Sequence, residues 1–272
     1  DDFLRLRNEV GVKEIHYTGG EPSCNLKLET LTSGLLGLGY RVKMTSNAQF
    51  SEQRLQTLIA SGINDFNFSI PSLEPVQFLK MQDGVHNIEW ANTCVNQQLR
   101  IVHTAITSNA NVKVNILVRT PSDIERCIAL YRYAKVYNIS IRFLNDITAG
   151  SEAINAIKEL VHIINGIPFG QKSVYGSSSV TSYYQDTDGF LFCVKDLHEN
   201  KLLSLCDGCN VTCKEYFYAI RVEQRHNNMF VRLCIDRNDG NSYMPLRHFL
   251  SSNQLKDIMK IVKTNGDRKE LV

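Results

Sequence analysis

Val12-Lys13-Glu14-Ile15-His16-Tyr17-Thr18-Gly19-Gly20-Glu21-Pro22 is the stretch on which the reading of this fold turns. Residues 12–17 form an apolar run that reads as a buried strand, and the glycine pair marks its carboxyl end. Two glycines there let the backbone pass close to a ligand without Cβ interference. Glu21 adds a carboxylate beside that gap, and Pro22 stiffens the exit. In open and barrel α/β folds, ligands sit at the carboxyl ends of the strands. The competing reading is an ordinary strand-to-helix turn.

Outward from this turn, strand and helix signals alternate over the first 165 residues. Short runs rich in Val, Ile, Tyr or Phe predict strands at 12–17, 40–45, 65–70, 112–118 and 139–144. Helical spacing links Leu28, Leu31, Leu35 and Leu38, and then Leu55, Leu58 and Ile59 behind Ser51 as N-cap. Thr120-Pro121-Ser122-Asp123 opens a helix carrying Ile124, Ile128 and Tyr131, and Ser151-Glu152 opens another through Ile154, Ile157, Val161 and Ile164. Repeated β-α units of this kind predict a parallel sheet. From Gly170 the pattern changes. Gly176-Ser177-Ser178-Ser179 reads as a loop, short β-like pieces follow at 189–194, 216–223 and 229–235, and residues 254–263 read as a terminal helix. His226-Asn227-Asn228 reads as a hairpin turn, not a metal site. Phe3, Leu4, Leu6 and Val10 look like one face of a helix already under way, and we expect a further segment before Asp1.

With 43% hydrophobic and 21% charged residues, the chain has the composition of an ordinary globular protein with a sizeable core. A net charge of +2 offers no electrostatic case for DNA or for a membrane surface. No apolar run approaches the length of a membrane span. Eight cysteines fall at 24, 94, 127, 193, 206, 209, 213 and 234, with three inside eight positions. That clustering is unlike a disulfide framework and fits a metal site in a reducing cytoplasm. Cys206-Asp207-Gly208-Cys209, then Cys213 and Cys234, can approach one metal centre, because Gly208 permits a tight turn. Zinc, an iron–sulfur cluster and a metal-free arrangement all remain open on the residues alone.

Several motifs together resemble those of the radical S-adenosylmethionine (SAM) enzymes, and among them the molybdenum-cofactor biosynthesis protein A family of GTP 3′,8-cyclases. Thr18 to Pro22 looks like the family motif at the SAM amino group. Thr45-Ser46-Asn47 is similar to T-T-N-G, Asn67 to Leu73 to N-V-S-L-D-S-L, Val112-Lys113-Val114-Asn115 to V-K-x-N, and Ile141-Arg142-Phe143-Leu144 to R-F-I-E. Cys206-Asp207-Gly208-Cys209-Asn210 and the Phe230–Cys234 segment follow in the family's order.

The resemblance implies an α/β fold: a partial (β/α)₆ TIM-like barrel over residues 1–168, lacking its first strand, and a C-terminal cysteine-rich iron–sulfur domain over 169–272. It implies SAM contacts from Gly19, Gly20, Glu21, Pro22, Asn47, Ser69, Arg142 and Ile147, and substrate contacts from Thr45, Ser46 and Lys113. It also implies [4Fe–4S] clusters, the second held by Cys206, Cys209 and Cys234. Cys213, carried on an insertion, could supply a fourth ligand. In such enzymes, reduction of the first cluster cleaves SAM to methionine and a 5′-deoxyadenosyl radical that takes hydrogen from substrate. An electron donor such as flavodoxin or ferredoxin, a small-molecule substrate such as GTP or a short peptide, a cytoplasmic location and a homodimer are further expectations.

The departures are as informative. The C-x₃-C-x₂-C motif of the first cluster is absent, and we expect it upstream of Asp1. His16 stands where the family places arginine, Cys209-Asn210-Val211-Thr212-Cys213 replaces C-N-R-x-R, and Ile147 replaces the SAM-contacting methionine. The family default that the resemblance implies is GTP 3′,8-cyclisation in molybdopterin biosynthesis; the alternative, which the lost arginines favour, is modification of a ribosomal peptide or another small metabolite. A reading of a different class is a non-catalytic zinc or iron–sulfur module. We expect Ser69 to contact SAM at a strand end and Lys113 to face inward, Arg142 to meet SAM or to form a structural ion pair, and His16 to be a satisfied core histidine.

Overall fold

A computed structural model describes residues 2–173, 177–197, 199–213, 215–226 and 228–266. The chain divides into two compact units, one of residues 12–167 with 185–193, the other of residues 1–11, 168–184 and 194–272.

The first unit carries the alternating pattern. Strands β1 (Glu14–Tyr17), β2 (Arg41–Ser46), β3 (Asp65–Ser69), β4 (Asn111–Val118) and β5 (Ser140–Asn145) pair in parallel, in the order of the chain. Right-handed crossovers between successive neighbours put all the connecting helices on one face. That is the wall of a barrel; a doubly wound sheet would reverse direction part-way. The first half of β8 (Leu191–Leu197) continues this unit's sheet beyond β5, where the Cys193 thiol donates to the Ile141 carbonyl at 3.6 Å.

Alternation sorts each strand's side chains between two faces. Val42, Met44, Phe66, Phe68, Ile116 and Phe143 are at most 3% exposed and make the core against the helices. Each such phenylalanine contributes roughly 2–3 kcal/mol of burial. The other face carries polar residues in three lateral rows set by register: His16–Lys43–Asp65–Asn111, then Thr45–Asn67–Lys113–Ser140, then Ser69–Asn115–Arg142.

The helices begin where local chemistry says they should. After α2 (Leu28–Gly37), α3 (Glu52–Ala60) is capped by Ser51, whose Oγ accepts from the Arg54 N–H at 3.1 Å. Asp123 Oδ2 accepts from the Arg119 and Thr120 N–H groups before α6 (Ile124–Val136), and α7 (Ser151–Ile163) follows Gly150. Two helices are absent from the sequence reading: α4 (Pro75–Lys80) and the 20-residue α5 (Ile88–Thr107). Helix α5 is capped by Asn87, and its buried stripe of Ala91, Cys94, Val95, Gln98, Ile101, Val102 and Ala105 mixes small and polar residues into the helical period. The stripe nonetheless recurs at helical spacing, so the periodic signal is present in the sequence.

The second unit holds α1 (Asp2–Arg5), β6 (Ile167–Ser173), β7 (Ser179–Gln185), the rest of β8, α8 (Leu203–Cys206), α9 (Leu246–Phe249) and α10 (Asn253–Gly266). An antiparallel sheet there has the order β11-β10-β9, from Tyr243–Pro245, Asn228–Arg232 and Arg221–Arg225. Strands β6 and β7 escaped the sequence reading, since Pro168 and Gly170 interrupt the pattern of the first. Residues 2–11 group with this unit, where Asp2 pairs with Arg247 at 3.5 Å. Residues 185–193 group with the first, because Asp186 is buried against α6. Gly176 and Asn227, from the expected loop and hairpin turn, lie outside the described residues.

Candidate functional site

Gly19 and Gly20 both lie in the left-handed region, at φ 78° and 50°, and a Cβ on either would meet nothing within 4 Å. The glycines are therefore required by backbone conformation, and their exposed main chain is open to a ligand. Glu21 is bonded through both carboxylate oxygens. Its Oε1 accepts from Ser46 Oγ at 2.7 Å and the Ser23 N–H at 3.1 Å, while Oε2 accepts from the Asn47 N–H at 2.8 Å. The carboxylate thus ties the turn to the end of β2. Ser46 is 3% exposed and committed to Glu21 and the Ala48 N–H, so of the pair Thr45 and Ser46 it is Thr45 that sits on the polar face. Pro22 is buried at the start of a single helical turn.

His16 is not a core histidine. It is exposed on the polar face, with Nε2 at 2.8 Å from Thr45 Oγ1 and 3.1 Å from Asn67 Nδ2. Lys43 pairs with Glu14 at 3.0 Å. Lys113 is half-buried, and no carboxylate lies within ion-pair distance of it or of Arg142 among the described residues. Burial, then the neighbouring Arg142 and Lys43 charges, push the Lys113 pKa down. The structural ion pair considered for Arg142 is therefore not formed.

Asn115 Oδ1 and Arg142 Nε are both buried without a hydrogen-bond partner among the described residues, and they sit on register partners of β4 and β5. A buried polar atom left so costs about 1–3 kcal/mol. Ser69 ends β3, and Ile147 is half-buried in the turn after β5. Asp146 holds that turn, with Oδ1 accepting from Thr148 N and Oγ1 at 2.8 and 2.6 Å and Oδ2 paired with Arg119 at 2.9 Å. Burial would raise its pKa, but these partners bring it below the usual carboxylate value. The positions expected to meet SAM thus lie on the carboxyl rim of successive strands, with Thr45 and Lys113 one row deeper.

Two arginines that brace this rim had no sequence signal beyond their type. Arg126 is 5% exposed and donates to Pro71 O at 2.5 Å, Leu117 O at 2.8 Å and Asp123 Oδ1 at 2.8 Å, joining the ends of β3 and β4. Arg54 donates to Ser23 O at 3.1 Å and Asn25 O at 2.9 Å and pairs with Glu29.

In the second unit, Cys206, Cys209, Cys213 and Cys234 line one cavity of about 330 Å³ with Lys201 and Arg237. Gly208, at φ 66°, allows the knuckle in which Cys209 N donates to Cys206 O at 3.1 Å. Cys234 lies just past the end of β10, not on a strand. Tyr216 adopts φ 57°, strained for a bulky residue, and its N–H donates to Cys213 Sγ at 3.1 Å. Burial raises the Cys206 pKa, and the other three thiols add to this.

Among the described residues no three His, Cys, Asp or Glu side chains close to single-ion geometry. A tetrahedral zinc site, with bonds of about 2.3 Å, needs sulfurs about 3.8 Å apart. Cys24 is exposed in the first unit, and all eight cysteines are free thiols.

No protein-family model matches the chain. The GTP 3′,8-cyclase of Campylobacter fetus subsp. fetus is 25% identical over 214 residues, covering 76% of this chain and 63% of that protein. That of Campylobacter lari is 26% identical over 247 residues, covering 83% and 72%.

The chain is similar to these GTP 3′,8-cyclases at 25–26% identity over 76–83% of its length.

It spans less than two thirds of the length of the first of these relatives, at 63%. Among solved structures, Streptococcus suis SuiB bound to S-adenosylmethionine is 16% identical, with 60% of this chain and 39% of that chain covered and a TM-score of 0.45, too partial a likeness to bear on the site. No described helix is long and apolar enough to cross a membrane.

Proposed function

We propose that this chain serves a radical SAM enzyme, with SAM on the carboxyl rim of the parallel strands and substrate on the polar face behind it. The observation that carries the reading is the pair of orphaned polar atoms, Asn115 Oδ1 and Arg142 Nε, on adjacent strands of that face. Buried polar atoms want partners, and a bound molecule with both a donor and an acceptor supplies them. Gly19 and Gly20 offer open main chain, Asn47 and Ser69 line the rim, Ile147 gives an apolar contact, and Arg142 is the cation for a carboxylate. Thr45 and Lys113 face the substrate. When bound, a reduced [4Fe–4S] cluster and SAM supply the 5′-deoxyadenosyl radical that takes hydrogen from substrate. Cys206, Cys209, Cys213 and Cys234 would hold a further iron–sulfur cluster in the second unit, with the Tyr216 N–H orienting the Cys213 sulfur.

GTP is the substrate by relationship. A second reading, a small metabolite or short peptide of lower charge, is favoured by the cation count. With Lys43 paired to Glu14, Lys113 and Arg142 are the unneutralised cations of the lateral rows, and SAM itself claims one. A flavodoxin or ferredoxin would donate the electrons.

The test is anaerobic reconstitution of the full-length natural protein with iron and sulfide, followed by dithionite and SAM. We expect release of 5′-deoxyadenosine, faster with the true substrate present. No release from a cluster-loaded protein overturns the proposal, and tight GTP binding removes the second reading.

A further inference from the structure

Helix α5 places Gln98 on its buried stripe, 2% exposed. A primary amide is costly there unless it bonds. Gln98 Nε2 donates to Asn47 O at 2.8 Å and, more weakly, to Ser69 O at 3.4 Å. These acceptors fix the orientation of the amide, since the reverse would set Oε1 against two carbonyl oxygens. Oε1 is left buried without a partner among the described residues. One side chain therefore spans the end of β2 and the end of β3, the two positions given to SAM above.

Its neighbours act on the same segment. Gln97 Nε2 donates to Phe50 O at 2.7 Å, and Gln49 Nε2 donates to Cys94 O at 2.9 Å. Three amides thus fasten residues 47–50 to one turn of α5. Inside the fastened segment, Ala48 is fully buried at φ 58°, a conformation unfavourable for a residue with a Cβ. Such a turn persists when its surroundings over-determine it.

We infer that Gln98 is a positioning residue for the cofactor, setting the lateral spacing of Asn47 and Ser69 through their carbonyls, with Gln97 in support. The inference rests on the SAM reading of the polar rim. Gln98→Met separates this role from a merely structural one. It keeps the volume and removes the orphaned Oε1, but leaves Asn47 O without its donor. The variant removes one buried orphan, while the carbonyls of exposed Asn47 and half-buried Ser69 lose a donor, so the net effect on stability is small.

The experiment uses the full-length natural protein, reconstituted anaerobically, with SAM affinity read by equilibrium dialysis and stability by thermal unfolding. For Gln98→Met we expect about tenfold weaker SAM binding with Tm within about 3 °C of wild type. KM for SAM rises while kcat at saturating SAM holds. Gln97→Met, at a half-buried position that tolerates change, gives a smaller drop of about threefold. If the folded variants bind SAM as wild type does, the inference fails while the SAM reading stands. If the wild type itself does not bind SAM, both fail.

Discussion

Asp186→Asn tests the electrostatics that join the residue 185–193 segment to α6. Asp186 Oδ1 accepts from Phe190 N at 2.8 Å and Asp188 N at 2.9 Å. Its Oδ2 accepts from the Tyr131 hydroxyl and from Lys135 Nζ at 2.5 Å, and the side chain is 3% exposed. Burial alone would raise the pKa. Lys135, Tyr131 and the two backbone N–H groups more than offset it and hold the carboxyl down to about 2, against an ordinary value of 3.8. A depressed carboxyl contributes stability that is present above the unfolded value and lost as pH falls toward the folded one. At about 1.4 kcal/mol per unit, that is at most about 2.5 kcal/mol at pH 7. Lys135 is 31% exposed, so screening brings the pH-dependent share to about 1–2 kcal/mol. Asparagine also turns an NH₂ toward donors, for a total loss of about 2–3 kcal/mol at neutral pH. Urea unfolding followed by circular dichroism at pH 7, and then from pH 5 to 2, reads both quantities. A variant as stable as wild type at pH 7, or a wild-type advantage that does not shrink between about pH 4 and 2, would refute the reasoning.

Other outcomes follow from the same geometry. Gly19→Ala should cost about 1 kcal/mol by thermal unfolding, from backbone strain alone since no atom lies within 4 Å of the new methyl; an unchanged Tm would count against it. Lys113→Met should stabilise the fold at pH 7 by about 0.5–1 kcal/mol, because it removes a desolvated ammonium. In wild type, stability should climb with pH between the depressed Lys113 pKa and the ordinary value of 10.5, and this climb should vanish in the variant; unfolding midpoints across that range check it. Cys213→Ser should let a reconstituted cluster shed iron on mild oxidation that the wild type retains, read by iron analysis and electron paramagnetic resonance; identical spectra would remove Cys213 from the ligand set.

The β/α alternation was legible because it depends on neighbours along the chain. Strands β1 to β5 announce themselves by short apolar runs, and Ser51 and Asp123 cap helices within a few residues of themselves. Helix α5 was equally legible by that measure, since its buried residues recur at helical spacing behind the Asn87 cap, yet the sequence reading passed over it. The cysteines at 206, 209 and 213 are close in sequence, whereas joining Cys234 to them takes a folded second unit.

By itself, the sequence determined the alternation of strands and helices and the glycine turn at the end of β1. Tertiary structure alone decided what the rim residues do. The bond from Ser46 to Glu21, 25 positions back, exists only once β1 and β2 are paired. His16 reads as core until register sets it beside Thr45 and Asn67 on the polar face. Gln98 reads as nothing until folding brings it to the Asn47 carbonyl, 51 positions away. Backbone periodicity is a local property of the chain. Which side chain completes which hydrogen bond is set by lateral register and helix packing, and these exist only once the sheet has formed.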